Sequence, residues 1–110
     1  MANPDFALKR GDTVPAIEAT LTDQDGPINL TTATSVKLLA KSRTDGTTTI
    51  VGTCVVVDAA AGKISYTWVA GNTSAPGSYD MEFEITWGVG QVETVPNDAY
   101  LWLEIMQDLG

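Results

Sequence analysis

The 110-residue chain has no histidine and a single cysteine, Cys54. Without histidine the commonest general base is missing, and with it the serine–histidine triad and most zinc sites. One cysteine excludes an internal disulfide. Val55, Val56 and Val57 follow it, so the thiol is expected to be buried as a small hydrophobe, not exposed as a reactive thiolate. Basic residues are scarce: six Lys and Arg stand against fourteen Asp and Glu, a net charge of −8. A nucleic-acid binder needs a cationic footprint to displace counterions. Neither nucleic acid nor an anionic membrane surface is therefore expected as a partner. No apolar run approaches the ~18 residues of a membrane-spanning helix. The start, Met1-Ala2-Asn3-Pro4-Asp5, lacks the basic end and apolar stretch of a signal peptide. Synthesis and assembly in a reducing cytoplasm are expected.

The composition, 44% hydrophobic and 18% charged, is that of a folded soluble domain. Residues 1–110 are expected to form one domain. Size scaling lets such a chain bury about 65% of its unfolded surface, enough for a core without staples.

The hydrophobic period is two, not 3.6. Tyr79, Met81, Phe83, Ile85 and Trp87 fall on one side of a strand, and Asp80, Glu82, Glu84 and Thr86 on the other. Ile17, Ala19 and Leu21 alternate with polar residues. So do Ile64, Tyr66 and Trp68, and Val36, Leu38 and Ala40, the last set with Leu39 as an apolar intruder. Phe6 and Leu8 open a first strand. Cys54 to Val57 is too uniformly apolar to show an inward face. Turn signals separate these runs: Gly11-Asp12, Asp23-Gln24-Asp25-Gly26-Pro27, Asp45-Gly46, Asp58 to Gly62, Gly88-Val89-Gly90 and Pro96-Asn97-Asp98. Thr31–Thr34 and Gly71–Ala75 each have room for one turn of 3₁₀ helix. The pattern predicts an all-β, immunoglobulin-like antiparallel β-sandwich of eight or nine short strands. Tyr79, at the start of the longest strand, is either a core tyrosine or one whose hydroxyl also bonds backbone upstream. The Cys-Trp-Cys signature of antibody domains is absent.

The sequence holds no phosphate-binding glycine loop, no Gly-x-Ser-x-Gly elbow and no metal-ligand spacing. Gly88-Val89-Gly90 lies in a hairpin, the wrong context for a phosphate. No enzyme, cofactor or metal is expected. The turn aspartates Asp12, Asp23, Asp25, Asp45, Asp58 and Asp98 are read as Asx-turn residues without EF-hand spacing. Asp80, Glu82 and Glu84 form an acidic row, either a solvated sheet face or an electrostatic dock for a basic neighbour. In the last strand Leu101, Leu103 and Ile105 suit the core, which turns Tyr100, Trp102, Glu104 and Met106 outward. Tyr, Trp and Met are enriched in interface cores. Tyr100, Trp102, Met106, Asp80, Glu82 and Glu84 are thus the candidate interface residues. The alternative is that a neighbouring segment covers the aromatic ones.

The segment Phe6-Ala7-Leu8-Lys9-Arg10-Gly11-Asp12-Thr13-Val14-Pro15 resembles the start of the N-terminal domain of phage baseplate upper proteins. The runs Leu21 to Thr31, Val57-Asp58 through Gly62 to Trp68, Gly77 to Glu84 and Val92 to Asp98 continue the resemblance in register. The resemblance implies an immunoglobulin-like structural component of a tailed-phage virion, assembled in the bacterial host cytoplasm, without enzymatic activity. Its partners would be other virion structural proteins, with a homo-oligomer within the virion among the arrangements. A chain that ends at Gly110 would have to fasten neighbours through the sandwich surface or its ends. A baseplate or minor tail protein is the first expectation. A capsid decoration or head–tail joining protein, or a carbohydrate- or protein-binding module, is the alternative on the same fold.

Overall fold

The computed structural model describes residues 3–46, 49–69, 71–96 and 99–109. It contains strands and turns, with no helix among the described residues. Nine strands have four or more residues: β1 (Phe6–Lys9), β2 (Ile17–Thr20), β5 (Ser35–Ser42), β6 (Thr49–Thr53), β7 (Val55–Asp58), β8 (Lys63–Tyr66), β9 (Gly77–Gly88), β10 (Gln91–Val95) and β11 (Leu101–Met106). The two-residue strands β3 (Thr22–Asp23) and β4 (Gly26–Pro27) flank the turn that Asp23 and Gly26 announce. Asp25 N–H donates to Asp23 Oδ1 there at 2.8 Å, an Asx-turn. Asp58 Oδ1 likewise accepts from Ala61 N–H, at 3.3 Å. Asn97 and Asp98, expected in the turn before the last strand, lie outside the described residues. The two segments with room for 3₁₀ helix form hydrogen-bonded turns instead, with Ala33 N–H on Leu30 O and Ser74 N–H on Gly71 O.

The larger sheet runs β1-β11-β9-β5-β6, with β10 also on β9, and the smaller runs β2-β8-β7. β10 and β11 meet the same side of β9: Val95 lies opposite Phe83 and Leu101 opposite Met81. They act as one long partner strand in two pieces. One pairing departs from the all-antiparallel expectation, because β1 runs parallel to β11, Phe6 beside Leu103 and Leu8 beside Ile105. These strands come from opposite ends of the chain. No hairpin dictates their direction, and period-two alternation reads the same for either direction.

The core lies between the sheets. Val36, Leu38, Ala40, Tyr79, Met81, Phe83, Ile85, Leu103 and Ile105 face inward from the larger sheet, and Ile17, Ile64 and Tyr66 from the smaller. Leu21, Ile28, Leu30, Trp68 and Cys54 close the ends of the same cluster. The alternating sets read from the sequence are thus the buried ones, apart from the partly buried Phe6, Ala19, Trp87 and Leu101. The Tyr79 hydroxyl donates to Ala75 O at 2.7 Å, so this buried ring satisfies its polar end on backbone four residues upstream. The Tyr66 hydroxyl donates to Asn72 Oδ1 at 2.6 Å, and its ring meets Trp68 edge-on with centroids 5.2 Å apart.

At Cys54 the chain leaves the larger sheet as β6 and enters the smaller as β7. Its side chain is buried while Val55, Val56 and Val57 are exposed. The apolar run shows no buried alternate residue, and it forms an outer edge of the smaller sheet. Burial pushes the Cys54 thiol from an ordinary value of 9.0 up to about 12. Below pH 9 both folded and unfolded chains keep this proton, so its stabilising contribution is complete. Between pH 9 and 12 the unfolded chain loses the proton first, and stability falls by about 1.4 kcal/mol per pH unit. Denaturant titrations at pH 9 and 10 are expected to show this loss, and Cys54→Ala to flatten it. An equal slope in the variant would show that the thiol is not its source. Burial also raises Tyr66 and Tyr79, whose ordinary values are 10.0, so they add their own loss only at higher pH.

Candidate interaction face

The outward side of the larger sheet is set by the same alternation that builds the core. Along β9, Tyr79, Met81 and Phe83 turn in, so Asp80, Glu82 and Glu84 turn out, where all three are half-buried. Along β11, Leu103 and Ile105 turn in, so Trp102 and Glu104 turn out. The register then decides which outward residues meet. Trp102 lies directly across from Asp80. Tyr100, 62% exposed, shares a shallow depression with Asp80, Glu82, Leu39, Lys41 and Val51. Glu84 continues the row toward β10, opposite Lys37 on one side and Thr94 on the other. Met106 is exposed but lies four residues beyond Trp102, about 13 Å along the strand, beside Lys9. Five of the six candidate residues therefore share one region, with Met106 at the far end of β11.

Arg43, just beyond β5, organises this face. Its Nε donates to Asp80 Oδ1 at 2.6 Å, and its guanidinium carbon sits 5.5 Å from the centre of the Trp102 ring. Both members of the ion pair are partly solvated, so the pair contributes about 0–1 kcal/mol. Its effect is positional: the guanidinium holds the carboxylate and the indole together. Trp102 Nε1 donates to Glu104 Oε1 at 2.9 Å, and Ser78 Oγ donates to the same oxygen at 2.5 Å. Trp102 N–H donates to Asp5 Oδ2 at 2.7 Å. The indole is half-buried and held by two contacts, the Arg43 guanidinium on its ring and Glu104 at Nε1, whereas Tyr100 is largely exposed. Lys41 faces Asp80 and Lys37 faces Glu84 across the β5–β9 pairing, yet among the described residues no ion pair joins them. The Glu82 and Glu84 carboxylates thus remain available to an outside cation.

Sequence reasoning missed Arg43, which sits in a turn and carries no periodic signal. Nor did it assign a role to Leu39 and Val51, which meet across β5 and β6 as the apolar floor of the depression. The intrusion of Leu39 into a polar face was the available clue.

The arrangement is one of surface side chains on a rigid β-sandwich, with a fixed aromatic, an exposed aromatic and unpaired carboxylates. Among the described residues no group of three His, Cys, Asp or Glu side chains is placed to hold a metal ion. The packed sheets define the chain as an all-β, sandwich-like domain. The chain belongs to the BppU N-terminal domain family, the N-terminal domain of baseplate upper proteins, which it matches over residues 2–96. That family is a structural phage-baseplate domain and not an enzyme family, which makes this chain a baseplate-associated structural protein of the virion. The match takes in Asp80, Glu82 and Glu84; Tyr100, Trp102 and Met106 lie past its end. No curated protein matches the chain.

Proposed function

We propose that the chain is a baseplate or minor tail protein of a tailed phage, folded in the host cytoplasm. In this reading it docks on neighbouring virion subunits through the outer face of its larger sheet. The family match over residues 2–96 carries the reading. The face supplies what such docking needs: Tyr100 as an exposed aromatic anchor, Trp102 held in one orientation, and Glu82 and Glu84 free to meet a basic partner. An immunoglobulin-like architecture accords with two further features. The order β11-β9-β5-β6 over β2-β8-β7 matches the G-F-C-C′ and B-E-D layers of such domains, and Tyr79 bonds backbone upstream at the start of the F-equivalent strand.

Incorporation into phage particles tests the docking face. Tyr100→Ala and Glu82→Lys change side chains at the sheet surface, so the circular dichroism spectrum and melting temperature are expected to stay close to those of the parent. Incorporation is expected to fall by about tenfold or more, as for a truncated interface anchor. Wild-type incorporation of both variants would remove the face from the assembly. Met106→Ala in the same assay measures how far along β11 the contact runs.

A further inference from the structure

Five strands end the two packed sheets laterally: β1, β6 and β10 in the larger, β2 and β7 in the smaller. A free edge offers backbone N–H and C=O groups to any strand that can approach, and charged residues are a common defence. Lys9 stands on β1, Glu93 on β10, Glu18 on β2 and Asp58 on β7. β7 is also bulged between Val56 and Asp58. Only β6, Thr49-Ile50-Val51-Gly52-Thr53, carries neither a charge nor a bulge in its pairing.

Backbone direction along β6 follows from one hydrogen bond. Cys54 N–H donates to Val36 O of β5 at 2.8 Å. Alternate residues share a direction, so Gly52 and Ile50 also turn their backbone groups to β5. Thr49, Val51 and Thr53 turn theirs outward, where no partner strand lies among the described residues. The side chains of these three are exposed on the outer face, Val51 at 61%, while Ile50 is buried.

We infer that β6 pairs antiparallel with β6 of a second copy of this chain about a two-fold axis through Val51. In that register Val51 meets its own counterpart, and Thr49 meets Thr53 of the other copy. Each outward-facing residue exchanges its N–H and C=O with its opposite number. The side-chain pairs are β-branched on β-branched, a favourable cross-strand combination, and no like charges are opposed. The second copy is the fitting occupant because the edge is self-complementary, as an isologous contact requires. It is also where two bodies of net charge −8 can meet without apposing carboxylates. The remaining repulsion between them is long-ranged and is screened beyond about 8 Å at physiological salt. The dimer should therefore tighten as salt is raised. Docking of a basic partner on Glu82 and Glu84 should weaken, so the two contacts are separable.

Light scattering on the purified full chain across a range of concentration and salt tests the pairing. The expected mass rises from one copy to two with concentration, at lower concentration in high salt. Val51→Pro removes the outward N–H at the centre of the pairing while leaving the β5 ladder intact, because Val51 gives β5 no backbone bond. It is expected to raise the dimer dissociation constant by about tenfold or more with an unchanged circular dichroism spectrum. Val51→Thr keeps both the N–H and the branched side chain and should dimerise as the parent does. Should Val51→Pro fail to fold, Val51→Lys, which sets two like charges face to face, is the deciding variant and should raise the dissociation constant likewise. A parent that stays monomeric throughout overturns the inference and leaves the edge to a different chain. So does a dimer indifferent to both Val51→Pro and Val51→Lys, or an assembly of any other copy number.

Discussion

Gly62→Ala is expected to cost about 3–5 kcal/mol, a large part of the ~5–15 kcal/mol that holds a domain of this size folded. Gly62 precedes β8 with φ +71°, where an L-residue with a side chain loses about 1–2 kcal/mol. The larger part is steric. A methyl group there would lie 2.7 Å from Ile28 O and 2.8 Å from Leu21 O, both backbone atoms that cannot rotate away. Leu21 and Ile28 are tied to Gly62 by a run of backbone bonds. Leu21 N–H donates to Gly62 O at 2.8 Å, and Ile28 N–H donates to Leu21 O at 2.8 Å. Moving them strands buried polar groups at about 1–3 kcal/mol each. Gly46→Ala is the control, since Gly46 has φ +68° but open space around it, and should cost about 1 kcal/mol. Urea midpoints for the two variants check this. Equal losses would show that the contact with residues 21 and 28 is immaterial.

Gly52→Ala is expected to destabilise by about 3 kcal/mol, in the range of overpacking a core. Gly52 has an ordinary backbone conformation, so the cause is space alone. An added methyl overlaps Cε1, Cζ and Oη of the Tyr66 ring. That ring cannot yield. It is 2% exposed, stacked edge-on against Trp68, and tied by its hydroxyl to Asn72 Oδ1, which also accepts from Val69 N–H at 2.8 Å. Tyr66→Leu, which shortens the side chain, should recover part of the loss when combined with Gly52→Ala. A double variant no more stable than the sum of the singles would place the clash elsewhere. Since Gly52 lies on β6, this close approach also explains how an uncharged edge strand keeps one register: Ile50 and Gly52 are locked to the core while Thr49, Val51 and Thr53 stay outside.

Much of this was legible from residue order. Tyr79, Met81, Phe83 and Ile85 announced the central strand and its inner face, and each is buried. Leu103 and Ile105 did the same for β11, and thereby turned Trp102 and Tyr100 outward. Alternation works here because a strand between core and solvent has only two sides, and each residue type declares which it prefers. The segment Val55 to Val57 could not be read this way. Three valines give no alternation, and their exposure at the edge of the smaller sheet is visible only in the assembled fold.

The order of the amino acids alone determined the all-β character, the inward and outward sets, and the absence of histidine and disulfide chemistry. These properties follow from local period and from composition, which need no knowledge of neighbours. Tertiary structure decided what depends on distant segments coming together: the parallel union of β1 with β11, and Trp102 set against Asp80 with Arg43 across both. It also left β6 as an edge without charge. Strand partners are chosen by how two whole sheets bury their common core, and that choice leaves no periodic trace in either strand.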